Sequence, residues 1–369
     1  MKKLSAVMLP LVLAACGGAS PSDDPTSEQV GSLPLTIIEP ANNPSSAEKV
    51  ALGKQLFWDP ILSGNQDVAC ATCHHPDNGY AEHIDVSMGV GGVGLSEARI
   101  SGALVKRNSP TIVNTAYNGI DENSNYDPSA TVMFWDNRAT SLEDQALDPI
   151  RSKEEMRGDQ FTEAEILDEV VSRLNANGDY MTLFTDAFGD STINDERIAQ
   201  ALAAFERSLI SANSPFDRYA RGDESALTQQ QVRGLNAFID AGCNACHSGP
   251  MFSDYALHQL TVETNPKLTN AGIDDNGVDG KFRTPSLRNV ALTAPYMHNG
   301  TERTLRDAIA FYNGVGNPSN DPDLAALDFD NNGDTIDAIE AFLMSLTDEG
   351  FDKTIPDAVP SGLNPGGDI

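Results

Sequence analysis

The sequence predicts a mostly α-helical chain with two halves and long loops. Apolar residues recur at spacings of three and four in several segments, and most of these segments open on a Ser or Thr that can cap a helix. The alternation of apolar and polar residues that is typical of strands is scarce. With 369 residues, 40% of them hydrophobic, the chain has the size and composition of two ordinary globular domains.

Six helices are predicted in chain order. The first opens at a capping box formed by Ser45 and Glu48, and its apolar stripe runs towards Trp58. The second opens at Thr162 and is stopped by Gly178. The predicted helices cover residues 45–58, 162–178, 198–209, 228–239, 304–312 and 337–346.

The predicted domains are residues 46–213 and 214–348, with a seam at Asn213-Ser214-Pro215. Residues 16–45 are rich in Ser, Pro, Gly, Asp and Asn without an apolar period, so we expect a flexible tether. Residues 349–369 contain three prolines and two adjacent glycines, which predicts an irregular tail.

Residues 1–15 are predicted to be an export signal. Lys2 and Lys3 precede an apolar run that is too short to span a bilayer permanently. The following Leu-Ala-Ala-Cys string resembles a bacterial lipobox, which implies cleavage before Cys16 and a lipid on its sulfur; a plain secretory signal is the alternative. We therefore expect a periplasmic or cell-surface lipoprotein of a Gram-negative-type bacterium.

The charge balance argues against polyanionic partners. Lys and Arg number 24 against 54 Asp and Glu, for a formal charge of −30. Nucleic-acid binding needs clustered Lys and Arg to displace counterions, and anionic lipid headgroups need the same. We expect no nucleic acid, and membrane contact only through the lipid anchor.

The remaining cysteines form two copies of C-x-x-C-H, which is the attachment sequence for covalent c-type haem. Two thiols at this spacing can add to the two vinyl groups of one porphyrin while the adjacent imidazole reaches the iron. The fold class thus becomes two cytochrome c-like haem domains, each with one haem c. The two copies are Cys70-Ala71-Thr72-Cys73-His74 and Cys243-Asn244-Ala245-Cys246-His247.

Cysteine pairs at this spacing have three other uses in proteins. A redox dithiol expects a strand followed by a helix, which the sequence does not indicate. A single zinc site does not require a His directly after each second Cys, yet both copies have one. A structural disulfide is the third alternative, and the repetition of the whole motif in an exported chain favours haem over all three.

Several further strings, in order, carry a family resemblance. Over most of residues 46–348 the chain resembles the bacterial dihaem cytochrome c peroxidase and MauG superfamily. The strings are Leu52-Gly53-Lys54-Gln55-Leu56-Phe57-Trp58-Asp59-Pro60, Arg107-Asn108-Ser109-Pro110-Thr111, Phe134-Trp135-Asp136-Asn137-Arg138, Leu142-Glu143-Asp144-Gln145-Ala146, Arg283-Thr284-Pro285-Ser286-Leu287-Arg288-Asn289-Val290 and Thr293-Ala294-Pro295-Tyr296-Met297-His298-Asn299-Gly300.

The resemblance implies that peroxide reacts at the N-terminal haem and that the C-terminal haem relays electrons. The family's distal Gln and Glu match Gln145 and Glu155, which would orient peroxide and move its protons. Trp135 matches the tryptophan between the haems. The alternatives are that Glu155 is a solvated charge and that Trp135 is a core residue.

Two axial positions decide the subgroup that the resemblance implies. Where peroxidases of the family place a distal His on the first haem, this chain has Val90, which predicts an open iron site unless nearby His83 substitutes. Where they place a Met on the second haem, the family spacing lands on Tyr312, as in MauG; the alternative is a core tyrosine. His258 lies in a polar stretch and is expected at the surface.

The resemblance also implies one calcium ion between the haems. Asn108 matches the family's side-chain ligand, and Thr293 and Pro295 match its two backbone ligands. Oxygen ligands of this kind suit Ca²⁺, and waters could complete the shell.

The leading hypothesis is a MauG-like enzyme that uses hydrogen peroxide to oxidise an aromatic residue of a partner protein through a high-valent bis-haem state. The alternative enzyme is a cytochrome c peroxidase that receives electrons from a small cytochrome c or a cupredoxin, which an acidic face would attract if the donor were basic. A pure electron-transfer cytochrome would need both irons fully ligated, and Val90 argues against it.

Overall fold

The computed structural model describes residues 30–94, 99–312, 327 and 333–367. Most regular structure in these ranges is helical. The helices are α1 Ala47–Trp58, α2 Cys70–Cys73, α3 Leu142–Gln145, α4 Asp148–Arg151, α5 Ile166–Asn175, α6 Gly178–Phe188, α7 Asp195–Ser208, α8 Pro215–Ala220, α9 Gln229–Asp240, α10 Pro266–Ala271, α11 Leu305–Phe311 and α12 Gly333–Met344.

The strands are only two residues long. β1 Gly92–Val93 pairs antiparallel with β2 Ile100–Ser101, and β3 Leu257–His258 pairs antiparallel with β4 Phe282–Arg283. Long loops with single turns of 3-10 helix and one π-helical turn, Lys153–Arg157, connect the helices. The prediction of a mostly α-helical fold with long loops is confirmed.

The core of the first half forms where α1 crosses α7. The two helices approach so closely that a Cβ on Gly53 would lie 1.9 Å from the carbonyl oxygen of Ala201, so only glycine allows this packing. Leu56, Phe57 and Phe205 are buried in the surrounding cluster. In the fold, α1 also contacts α2, which carries the first haem motif.

The second half repeats this arrangement. Here α9 crosses α12, and a Cβ on Gly234 would lie 1.9 Å from the carbonyl oxygen of Ala338. Phe238 and Phe342 pack at the crossing with their ring centroids 5.4 Å apart. In both halves, therefore, the helix that precedes the C-x-x-C-H motif is held by a glycine against the last helix of that half.

Several predicted helix boundaries are wrong, among them the starts of the helices that begin at Ile166 and Gly333, and two further errors share one cause. The cap of α1 is Ser46, which accepts from the backbone N–H of Lys49, while the Ser45 hydroxyl donates to Glu39. Gly178 does not end α5 but begins α6, because the side chain of Asn177 caps that helix. Both errors arise because a neighbouring residue satisfies the free N–H groups of the helix start.

The prediction of a flexible tether is wrong for residues 30–45, which pack on the body. Leu33 is buried, and its backbone N–H donates to Asp217 at 3.0 Å. The buried Asn43 side chain donates to Glu143 at 2.7 Å. A polar composition hid these contacts, since each is made with residues more than ninety positions away. The predicted signal and Cys16 lie outside the described residues.

The C-terminal tail returns to the first half. Residues 349–367 contain no helix, yet Phe351 and Val359 are buried in the core of the first half. The Thr72 hydroxyl, inside the first haem motif, donates to the carbonyl oxygen of Gly366 at 2.6 Å. The tail thus covers α2 from outside. None of the helices in the described ranges is long and apolar enough to cross a membrane.

Candidate haem sites

The first C-x-x-C-H motif is built for iron ligation. Cys70 and Cys73 lie at the two ends of α2, and His74 follows as its C-cap. The Nδ1–H of His74 donates to the carbonyl oxygen of Tyr80 at 3.0 Å, which leaves Nε2 as the ring nitrogen with a free lone pair. Burial lowers the pKa of His74, so the ring is neutral at pH 7 and can bind a metal.

The second motif has the same geometry. The Nδ1–H of His247 donates to the carbonyl oxygen of Phe252 at 2.9 Å, and burial lowers the pKa of His247. Tyr80 and Phe252 both adopt a left-handed backbone, with φ of 55° and 53°, which turns each carbonyl back towards the imidazole. Burial raises the pKa of Cys70 and of Cys243 to about 12, so these half-buried thiols are protonated at neutral pH.

A large apolar cavity opens at the second motif. Its empty volume is about 1620 Å³, a figure that includes open solvent at its mouth. Cys243, Cys246 and His247 line it. Tyr312 lines the same cavity, at the C-terminal end of α11. Burial raises the pKa of the Tyr312 phenol, and the two cysteines add to this. Two thiols that could attach a haem, and an imidazole and a phenol that could bind its iron, thus face one apolar space.

Trp135 lies between this cavity and the first half. It lines the cavity, and its indole N–H donates to the backbone carbonyl of Asn108 at 2.9 Å. The amide of Asn108 in turn donates to the carbonyl oxygen of Ile84, in the loop after the first motif, at 2.8 Å. The indole is therefore connected to the loop of one haem site and faces the other.

The three residues predicted to bind calcium all line this cavity. The amide nitrogen of Asn108 donates to Ile84, so its oxygen points the other way. Thr293 and Pro295 flank a cis peptide bond between Ala294 and Pro295. Side-chain and backbone oxygens are the ligand type that a hard cation such as Ca²⁺ prefers.

Glu155 and Val90 both lie near the first motif. The charge of Glu155 adds to the burial that raises the pKa of both thiols, Cys70 and Cys73, so its carboxyl faces the motif. The backbone N–H of Val90 donates to the carbonyl oxygen of Glu154 at 3.2 Å. Burial raises the pKa of Glu155 above the ordinary range. Glu155 is half-buried and is thus not a fully solvated charge.

Gln145 ends α3 and is half-buried, one short helix before the π-helical turn that carries Glu155. His83 is also half-buried, and its backbone N–H donates to the side chain of Glu82 at 3.1 Å. Glu82 is a neighbour of Cys73, so His83 lies near the first site.

His258 is not the surface residue that the sequence predicts. It lines the cavity of the second haem, and its Nε2 lies 2.8 Å from the carboxylate of Asp254. Cys246, Asp254 and His258 bring their ligand atoms within 4.8 Å of one another. Polar neighbours along the chain concealed this, because β3 turns the side chain inward through its pairing with β4.

The comparisons with known proteins agree with this geometry. The family model of di-haem cytochrome c peroxidase matches residues 47–225. The methylamine utilization protein MauG of Methylophilus methylotrophus is 37% identical over 284 residues, which cover 76% of each chain. The chain belongs to the di-haem cytochrome c peroxidase and MauG family. This family includes peroxidase-type oxidoreductases with two c-type haems, and the prediction of such an enzyme is confirmed.

Both branches of the di-haem family are represented among its relatives. Cytochrome c551 peroxidase of Pseudomonas aeruginosa is 33% identical over 329 residues, covering 85% of this chain and 83% of that protein. The crystal structure of a MauG-like protein associated with microbial copper homeostasis superposes with a TM-score of 0.66 at 29% identity, covering 86% of this chain and 95% of the other.

Proposed function

We propose that this di-haem enzyme is MauG-like: it uses hydrogen peroxide to oxidise an aromatic residue of a partner protein. The observation that carries the proposal is the position of Tyr312, which faces the same apolar cavity as Cys243, Cys246 and His247. An oxygen ligand from a phenol favours the oxidised states of iron over the reduced state. A second haem held by His247 and Tyr312 would therefore hold an oxidising equivalent rather than pass on an electron from a donor.

The haems supply the electron exchange with peroxide and partner when bound. Around the first site, Val90 offers no ligating atom, which leaves room for peroxide beside the iron that His74 would hold. The raised pKa of Glu155 suits a group that takes a proton from one peroxide oxygen and returns it to the other. Gln145 would donate a hydrogen bond that orients peroxide.

Trp135 would carry the oxidising equivalent between the two sites. Its indole faces the second cavity, and its N–H is fixed by the backbone of Asn108, so the ring has a single orientation. A half-buried aromatic ring in this position shortens the distance that an electron must cross. The partner's aromatic residue is then the final source of electrons.

Tyr312→Phe tests the proposal. We expect the variant to lose the spectrum of a His/Tyr-ligated ferric haem at the second site, and to lose peroxide-driven oxidation of the partner. Tyr296→Phe is the matched control, because Tyr296 lines the same cavity but its hydroxyl donates to the carbonyl oxygen of Val290 at 3.0 Å. An unchanged second-haem spectrum in Tyr312→Phe would make Tyr312 a packing residue and refute the proposal.

The second candidate is a cytochrome c peroxidase that reduces hydrogen peroxide to water. The similarity to cytochrome c551 peroxidase and the formal charge of −30, which would attract a basic electron donor, support it. Sustained peroxide turnover with a reduced small cytochrome c or cupredoxin, and no oxidised partner residue, would favour this candidate. The gene neighbours of a protein-modifying enzyme would include its substrate.

We also propose one Ca²⁺ ion held by Asn108, Thr293 and Pro295. Asn108 carries the link to Trp135, so the ion would stiffen the contact between the two haem sites. Export and anchoring through a lipid on Cys16 complete the proposal. Fatty-acid labelling of the chain, lost in Cys16→Ser, tests the anchor.

A further inference from the structure

The two haem sites carry an acidic residue at the same place. Glu82 lies two residues after Tyr80, and Asp254 lies two residues after Phe252; Tyr80 and Phe252 are the residues whose carbonyls hold the proximal histidines. The side chain of Glu82 is a neighbour of Cys73, and that of Asp254 is a neighbour of Cys246. Each site thus has one carboxyl beside the second sulfur of its motif.

The surroundings of the two carboxyls differ. Asp254 is partly exposed; one of its oxygens lies 2.8 Å from His258 Nε2, and the other accepts from the backbone N–H of Ala256 at 3.0 Å. Glu82 is 2% exposed, and only its Oε1 accepts a short backbone hydrogen bond, from His83 at 3.1 Å. Its Oε2 is buried without a hydrogen-bond partner among the described residues. A thioether has no S–H, so attachment of haem to Cys73 gives this oxygen no donor.

The nearest cation does not neutralise Glu82 by contact. Arg99 is buried, and its charge lowers the pKa of Glu82. However, its guanidinium donates to the carbonyl oxygens of Met88, Gly89 and Gly94, with distances of 2.8 and 2.9 Å for the last two. Its donors hold the loop that carries Val90 and are not aimed at the carboxyl.

We propose that Glu82 sets the reduction potential of the first haem: its carboxyl, which lies beside Cys73 without a direct ion pair, stabilises the oxidised iron, whereas Asp254, which is bonded to His258, does so less at the second haem. The inference deepens the proposed function, since a first iron that is stabilised in its oxidised form meets peroxide without prior reduction. A buried charge acts strongly on a nearby redox centre because the local dielectric constant is low.

The effect of Glu82 depends on pH. Burial is the main cause that raises the pKa of Glu82 to about 7, against the backbone N–H groups of His83 and Ile84, the Cys73 thiol and Arg99, which lower it. Attachment of haem removes the thiol hydrogen of Cys73, so the pKa of Glu82 then rises further. Below this pKa the carboxyl is neutral and its effect on the potential is small; above it the negative charge lowers the potential. Glu155, from the π-helical turn, and Glu206, from α7, also face the motif and add their own pH dependence.

Glu82→Gln tests the inference on the protein with both haems attached. Spectroelectrochemical titrations between pH 5 and pH 9 would follow each haem, with electron paramagnetic resonance assigning the signals. We expect the first haem of the variant to have a higher midpoint potential than that of the wild type at pH 9, and the two proteins to converge at pH 5. The second haem should be unchanged. Asp254→Asn is the matched control, and it should leave the first haem unchanged.

Equal first-haem potentials in Glu82→Gln and the wild type at pH 9 would overturn the inference, and so would an equal offset at every pH, which indicates a structural effect. Should Glu82→Gln fail to attach two haems, as counted from its haem absorbance, Glu82→Ala is measured with the same expectation. The potentials are measured without peroxide or a partner protein. The result therefore stands apart from whether the enzyme modifies a protein or removes peroxide.

Discussion

Asp217 offers the sharpest test of how the second half is held together. This aspartate on α8 is fully buried and forms an ion pair with the buried Arg288 at 2.8 Å. Arg288 also donates to the carbonyl oxygens of Pro250, three residues after His247, and Gly31, at 2.7 and 2.8 Å. The pair therefore ties the loop of the second haem motif to α8 and to the N-terminal segment.

Asp217→Ala would leave the Arg288 charge buried and unpaired. Removing one partner of such a pair costs about 3 to 5 kcal/mol, because the remaining charge stays out of water without compensation. Asp217 also completes the capping box of α8 with Ser214, and loss of a cap costs about 1 kcal/mol. Since the two effects share one side chain and are not additive, we expect the free energy of unfolding of the second half to fall by about 4 kcal/mol.

Asp307→Ala is the matched control. Asp307 accepts from the Thr304 hydroxyl and donates its backbone N–H to it at the start of α11, as Asp217 does with Ser214, but it is exposed and has no ion pair with a buried arginine. We expect a loss of about 1 kcal/mol there. Guanidinium titrations followed by the absorbance of the second haem would compare the two variants. A loss in Asp217→Ala that is no larger than in Asp307→Ala would refute the reasoning.

Three further outcomes are expected. Gly53→Ala should lower the free energy of unfolding of the first half by about 1 to 3 kcal/mol, because the added Cβ would lie 1.9 Å from the Ala201 carbonyl oxygen. Gly178→Ala should change this free energy little, because nothing lies within 4 Å of the added Cβ. The rate at which the first haem reacts with peroxide should rise with pH, because Glu155 acts as a base only when ionised and burial raises its pKa. Glu155→Gln should abolish that rise. A pH profile shared by both proteins would contradict the assignment. Removal of Ca²⁺ with a chelator should alter the spectra of both haems in the wild type, and Asn108→Ala should show the altered spectra without chelation; spectra that do not respond to the chelator would exclude the ion.

The sequence by itself determined the attachment of both haems and the helical class. Each C-x-x-C-H motif is contiguous, so the spacing of two thiols and an imidazole is a local property that no tertiary contact needs to supply. Helical stripes are also local, which is why the main helices were predicted while the start of α1 was placed one residue too early. The positions of Gln145, Glu155 and Tyr312 came from a family resemblance and not from local chemistry.

Only the tertiary structure decided what surrounds the haems. Leu33 and Phe351 belong to segments whose composition predicts a tether and a tail, yet long-range contacts bury both. His258 and Glu82 are polar residues, and nothing local distinguishes a solvated side chain from one that faces a haem. Burial depends on chain segments that are distant in sequence, and burial in turn sets the charge of Glu82 and Glu155. The sequence thus names the cofactor, and the fold decides the electrostatic environment in which each iron works.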